Sequence, residues 1–114
     1  IVMDCIFCKI GKGEAPCTKV YEDDLVIAFK DLNPVAPTHV LIIPKVHIDS
    51  AASIDSENSH LIARIFEVAS SIAKEEKLDK GFRIVTNAKE HGGQTVSHLH
   101  FHLIGGKKLD MRMG

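Results

Sequence analysis

Three histidines occupy every second position of the segment His98-Leu99-His100-Phe101-His102-Leu103, which follows a Gly92-Gly93 pair. Imidazole exchanges protons near neutral pH, ligates metals through a neutral nitrogen, and attacks phosphorus as a nucleophile. Three readings therefore compete. The polar side of a half-buried strand could carry the histidines without further purpose. The three rings could share a catalytic metal. Or one ring could take up a phosphoryl group while its neighbours donate hydrogen bonds to the phosphate oxygens. Residues i and i+4 of a strand lie about 13 Å apart, so all three rings cannot comfortably reach one ion. Two at most would be ligands. On the phosphoryl reading, Gly92 and Gly93 let backbone N–H groups approach the oxygens, and Thr95 adds a hydroxyl.

The elements around this segment follow from periodicity. On a strand, His98, His100 and His102 share one face, and Leu99, Phe101 and Leu103 take the other. Residues 4–14 suit one or two helical turns, with Asp4 as N-cap and Gly11 or Gly13 as the end. Residues 18–30 suit two strands joined by a turn at Asp23-Asp24. The prolines of "NPVAPT" demand a loop, and "HVLIIP" is a short buried strand ended by Pro44. Leu61, Ile62, Ile65, Phe66, Ala69, Ile72 and Ala73 form one apolar stripe on a long helix, with Asp55 as the expected N-cap and Gly81 closing the turn beyond. "FRIVTN" is a further strand. The pattern is α+β: an antiparallel sheet with helical cover on one face.

Composition narrows the function. The chain has 114 residues, which suits a single domain over 1–114, and an apolar content of 45%, which argues against long disorder. A net charge of −1 without a basic run disfavours nucleic acid as a partner, and five Phe with no Trp offer no base-stacking platform. "VLII" is too short to span a bilayer, and "IVMDCIF" lacks the long apolar stretch of a secretory signal. Three cysteines do not make a disulfide framework. A cytoplasmic protein without a membrane partner is expected.

"HLHFHLI" matches the pattern His-φ-His-φ-His-φ-φ, where φ is apolar. Together with "CIFCKI", "YEDD", "AFKDLNPVAPTHVLIIPKVHI" and "GGQTVSHLHFHLIGG" in this order, the chain resembles the histidine triad (HIT) family along nearly its whole length. It is most similar to the histidine-triad nucleotide-binding, purine nucleoside phosphoramidase branch. The resemblance implies a five-stranded antiparallel sheet with one long and one short helix, and a homodimer whose two subunits form a continuous ten-stranded sheet. It also implies a hydrolase that cleaves the P–N bond of AMP– or GMP–amine conjugates through a nucleotidyl-histidine. His100 would be the nucleophile. His102 would contact the α-phosphate, His98 would orient its neighbours, His39 would complete a proton relay, and Thr95 would bind phosphate or help protonate the leaving group. The implied nucleotide site comprises Ile6, Phe7, Ile10 and Leu32 as purine walls, Asp31 on the ribose hydroxyls, and Asn87, Gly93, Thr95, His100 and His102 near phosphate.

Without the resemblance, Asp31 reads as a turn cap, Asn87 as a turn residue, Ile6, Phe7, Ile10 and Leu32 as core, and His39 as a structural histidine. No cofactor is needed for the implied chemistry. Some relatives hold a structural zinc on residues corresponding to Cys5, Cys8, His47 and His98, while others lack both cysteines. Were zinc bound, His98 could not also relay protons. Cys17 has no evident partner. The branch often ends in Trp-Pro-Pro-Gly, which "LDMRMG" does not match, so the leaving-group preference stays open. Two other functions use the same residues: a nucleotide-binding interaction module with residual hydrolysis, and a dinucleoside polyphosphate hydrolase, although the latter branch typically has Gln where His102 stands. A zinc hydrolase acting through metal-bound water is a further alternative.

Overall fold

A computed structural model describes residues 5–112. The expected Asp4 cap lies outside them. The elements run α1 (Ile6–Gly11), β1 (Lys19–Glu22), β2 (Val26–Lys30), β3 (Thr38–Pro44), α2 (Ser59–Glu75), β4 (Phe82–Val85) and β5 (Phe101–Gly105). The five strands form one sheet in the order β1-β2-β3-β5-β4, and every neighbouring pair is antiparallel. This is the expected α+β fold.

The apolar runs of β2 and β3 are buried on both sides, and their alternation shows what covers each face. Val26, Ala28, Val40 and Ile42 pack with Leu61, Ile65, Val68, Ala69 and Ile72 of α2, joined by Leu99, Phe101 and Leu103. Ile27, Phe29, Leu41 and Ile43 point the other way and meet Phe7 and Ile10 of α1. Helical cover is thus present on both faces, where sequence pattern indicated one. The spacing of Ile6, Phe7 and Ile10 marks a short helix with core positions, but six residues hold too few repeats to say which face of the sheet it covers.

Two caps differ from expectation. α2 begins after Asn58, whereas Asp55 accepts from the amides of Glu57 and Asn58 and shapes the turn before the helix. At the other end, Leu78 N–H reaches the Ala73 carbonyl at 2.9 Å and Lys77 N–H reaches the Lys74 carbonyl at 3.2 Å. These are the two bonds of a Schellman motif. Lys77 occupies the position that favours glycine, with φ of 58°, so the turn closes before Gly81. Lys77→Gly is expected to raise stability by about 0.5–1 kcal/mol, the relief of a left-handed side chain less the extra freedom of the unfolded chain. The urea midpoint measures it.

The histidine segment is only partly a strand. β5 begins at Phe101, so His102 lies within it while His98 and His100 precede it. The ladder to β3 ends at the Ile42–Phe101 pair. Before it, Leu99 N–H bonds to the Ile48 carbonyl, and the His100 carbonyl accepts from the Thr86 hydroxyl at 2.8 Å. The backbone stays extended enough to keep the alternation: Leu99, Phe101 and Leu103 face α2, and the imidazoles face the α1 side.

Candidate active site

On the α1 side of the sheet lies a cavity of about 430 Å³. That size suits a nucleotide-sized ligand. Its apolar walls include Ile6, Phe7, Ile10, Leu32 and Leu41, and its polar groups include Asp31, Thr95, His100 and His102. Two roomier hollows, lined by residues 19–24 with 45 and by 77–81 with 106–108, contain no histidine and share no residue with it.

Hydrogen-bond partners assign the tautomers of the rings. The His100 Nδ1 lies 2.7 Å from the His98 carbonyl, which can only accept. The proton is therefore on Nδ1, and Nε2 keeps its lone pair. Phe7 packs edge-on against the same ring, with centroids 5.1 Å apart. His102 carries the opposite tautomer. The Val35 N–H donates to His39 Nδ1 at 3.1 Å, so the His39 proton sits on Nε2, and that nitrogen is 2.9 Å from His102 Nδ1. His102 Nδ1 accepts, which leaves its own proton on Nε2. Asp31 Oδ2 stands 3.3 Å from His39 Nε2 and 4.0 Å from His102 Nδ1. Its other oxygen accepts from the Asn33 amide at 2.8 Å. Asp31 thus caps a turn and also faces the cavity. Two rings two positions apart in sequence offer one bare nitrogen and one N–H.

Burial pushes the pKa of His102 down to about 4, helped by the nearby His100 and His39 and opposed by Asp31. The ring is a neutral donor at neutral pH. The unfolded chain, with an ordinary imidazole near 6.5, binds the proton first as pH falls. Stability is therefore full above about pH 6.5 and falls as pH drops toward 4. The expected loss from this residue is about 1–3 kcal/mol. Urea midpoints across that window should fall in the wild type and fall less steeply in His102→Asn, where the buried His98, also shifted down by burial, remains.

Behind the triad, the first histidine serves a different cluster. His98 is buried, and its Nε2–H donates to the Pro44 carbonyl at 2.9 Å. His47 Nε2 is likewise 2.8 Å from Asp49 Oδ1. Both Nδ1 lone pairs face thiols: His98 to Cys5 at 3.4 Å and to Cys8 at 3.5 Å, His47 to Cys8 at 3.2 Å. The four ligand atoms all lie within 4.8 Å of one another. Tetrahedral zinc with bonds near 2.3 Å to sulfur and about 2.0 Å to nitrogen places adjacent ligands roughly 3.5 Å apart, so the residues fit the ion. The outer acceptors on both rings are those that orient metal-bound histidines. Without a cation, burial and the neighbouring Cys5 push the Cys8 thiol pKa up.

Asp31, His39 and His102 also come within 4.8 Å of one another. There the Val35 N–H occupies the back of His39, so its front nitrogen carries a proton and cannot ligate. That group is a hydrogen-bond relay.

The cavity walls bring together Ile6, Phe7, Ile10, Asp31, Leu32, Thr95, His100 and His102. His39 stands behind His102. Asn87 and Gly93 are not among the walls. Asn87 donates to the Gly92 carbonyl at 2.7 Å, and the amides of Gly92 and Gly93 bond to Lys89 and Glu90. The glycine N–H groups are consumed by their own turn. His98 orients His100 through its carbonyl, its ring being turned to the cysteines. Pro16, Cys17, Thr18, Lys30, Asn33 and Val96 also line the cavity. Sequence alone carries no sign of Cys17 there, because only the fold brings residues 16–18 beside Asp31. The amide of Val35 and the carbonyl of Pro44 escape for the same reason: backbone groups have no residue signature.

The HIT domain family matches residues 12–109. The chain is 44% identical over 107 residues to the purine nucleoside phosphoramidase of Escherichia coli (strain K12), covering 93% of this chain and 90% of that one. It is 45% identical over 113 residues to the 14 kDa zinc-binding protein of Brassica juncea, covering 97% and 100%. Among solved structures, the HIT family hydrolase from Legionella pneumophila Philadelphia 1 superimposes with a TM-score of 0.95 at 45% identity, covering 97% of this chain and 100% of that one.

Proposed function

The chain belongs to the HIT domain family, and from that premise we propose that it is a purine nucleoside phosphoramidase, acting on adenosine or guanosine 5′-monophosphate joined through phosphorus to an amine. The observation that carries this reading is the His100 tautomer. Its Nδ1–H is tied to the His98 carbonyl, in a side chain that lines the cavity, so Nε2 is left as a bare nucleophile.

The nucleoside enters between Ile6, Phe7, Ile10 and Leu32, and its ribose hydroxyls donate to Asp31. His100 Nε2 attacks phosphorus in line with the P–N bond. The P–N electron pair leaves with the amine, which takes a proton as it departs, and the hydroxyl of Thr95, a residue of the cavity wall, would assist. His102 Nε2–H donates to a phosphoryl oxygen as charge gathers there. Water then attacks the nucleotidyl-histidine, releasing AMP or GMP and restoring the ring. Mass spectrometry of the intact protein after a rapid quench with adenosine 5′-phosphoramidate tests this. A nucleotidyl adduct on His100 is expected. AMP release with no adduct at any quench time would refute the covalent route.

Cys5, Cys8, His47 and His98 hold a structural zinc in this proposal. The donor set and the two oriented imidazoles support it, and the similar Brassica juncea protein is named for zinc binding. Bound there, zinc would fix α1 against the segment that carries His98. With four protein ligands it would have no open position and would take no direct part in the reaction.

The proposed assembly is a homodimer joined along β4 into a ten-stranded sheet. β4 is an edge strand, and Phe82 on it and Phe66 on α2 are 44% and 46% exposed. Pairing would cover both. A monomer mass at micromolar concentration by sedimentation would count against it. The three free cysteines suit a reducing cytoplasm, and no helix among the described residues is long and apolar enough to cross a membrane.

A further inference from the structure

We propose that the backbone N–H of Val35 is a positioning group for the reaction, setting the direction of a two-imidazole relay that ends at the phosphoryl group. Its kinetic consequence rests on the nucleotidyl-transfer reading above; the tautomers it dictates do not.

Each link follows from the one before. A neutral imidazole carries a single proton. Val35 N–H donates to His39 Nδ1 at 3.1 Å, so the His39 proton must be on Nε2. That nitrogen lies 2.9 Å from His102 Nδ1, which can then only accept. The His102 proton is forced onto Nε2, on a ring that lines the cavity. Remove the first donor and the chain can reverse. His39 could then hold its proton on Nδ1, and His102 could donate from Nδ1 to His39 Nε2. His102 would present a lone pair to an anionic phosphoryl oxygen, and stabilisation would become repulsion.

The loop is built to hold that one amide still. Val35 lies between Pro34 and Pro37, which restrict the chain and have no N–H of their own. The loop is closed by Asp31 N–H on the His39 carbonyl at 3.0 Å and by Asn33 N–H on Asp31 Oδ1 at 2.8 Å. Val35 is 59% exposed, so packing does not explain the placement. Asp31 Oδ2, 3.3 Å from His39 Nε2, faces the same proton and favours the Nε2–H form as well.

Long-range proton–nitrogen NMR of the nitrogen-15-labelled full chain without nucleotide reads the tautomers directly. His39 and His102 are expected as Nε2–H and His100 as Nδ1–H. A His39 found mainly as Nδ1–H overturns the proposal. Val35→Ala keeps the amide and is expected to retain the wild-type tautomers. Val35→Pro deletes it and is expected to shift His39 toward Nδ1–H and to lower kcat by about a hundredfold, the usual effect of losing one donor to the transition state, with KM changed far less. A folded Val35→Pro protein with wild-type tautomers and kcat overturns the proposal too. If that variant does not fold, Asp31→Ala, which keeps the Val35 amide and removes the carboxylate, is expected to retain His39 as Nε2–H, and a His39 found there mainly as Nδ1–H overturns the proposal. A wild type that shows the expected tautomers yet hydrolyses no phosphoramidate would sink the functional reading and leave the relay's polarity standing.

Discussion

His100→Ala is expected to lower turnover of an adenosine phosphoramidate by about four orders of magnitude or more, the scale seen when a covalent nucleophile is removed. Neither neighbouring imidazole of the triad can replace it. The His102 Nδ1 lone pair is committed to His39, and the His98 ring is turned toward the cysteines. AMP should still bind, since Asp31 and the apolar walls remain, and no adduct should form. The variant also loses the edge-on contact with Phe7, a stability cost of about 1 kcal/mol, so a melting curve must accompany the assay. Turnover within tenfold of wild type in a folded variant would exclude His100 as nucleophile. Equal, negligible turnover in both forms, with AMP bound by each, would favour the binding-module alternative.

Zinc removal should have the largest effect on stability. An ion that binds only the folded chain, present at a thousand times its dissociation constant, adds about 4 kcal/mol. For a chain of this length that corresponds to roughly 15 °C in melting temperature. Cys8→Ser should melt where the chelated wild type does, and added zinc should not rescue it. Serine keeps the size but supplies no thiolate, and Cys8 is the residue that both His47 and His98 approach. The same experiment separates the metal's roles. If zinc held a reactive water, chelation would abolish hydrolysis at any temperature. If it is structural, chelated protein kept well below its melting point should retain most of its turnover. A melting temperature unmoved by zinc would refute the site.

Much of this was legible in the sequence because side-chain type and spacing carry the information. Alternation placed the three imidazoles on one side and Leu99, Phe101 and Leu103 on the other, and the structure keeps that arrangement although the strand begins only at Phe101. The α2 stripe was visible for the same reason; it missed Val68, which is buried, and took in Phe66, which is half exposed. An edge of a stripe cannot be told from its centre until the neighbouring strand is known. What could not be read is the direction of each hydrogen bond. Whether His98 works through its ring or its carbonyl depends on Pro44 and the cysteines, contacts that span 54 and more positions in the chain. Gly92 and Gly93 were the opposite case. Their composition suggests an anion cradle, yet their amides are spent on Lys89 and Glu90. Glycine shows that the backbone can bend and does not say what its N–H will meet.

The six residues of α1 and their N-cap Cys5 serve two masters. Cys5 and Cys8 look toward the imidazoles of His47 and His98, while Ile6, Phe7 and Ile10 look into the cavity. A helix so brief has little hold on its own shape. If this turn holds both the proposed ion and the proposed nucleoside, whichever arrives first would spare the second the entropy of freezing it. By reciprocity, nucleotide-filled protein should need more chelator at equilibrium to lose its ion than empty protein does.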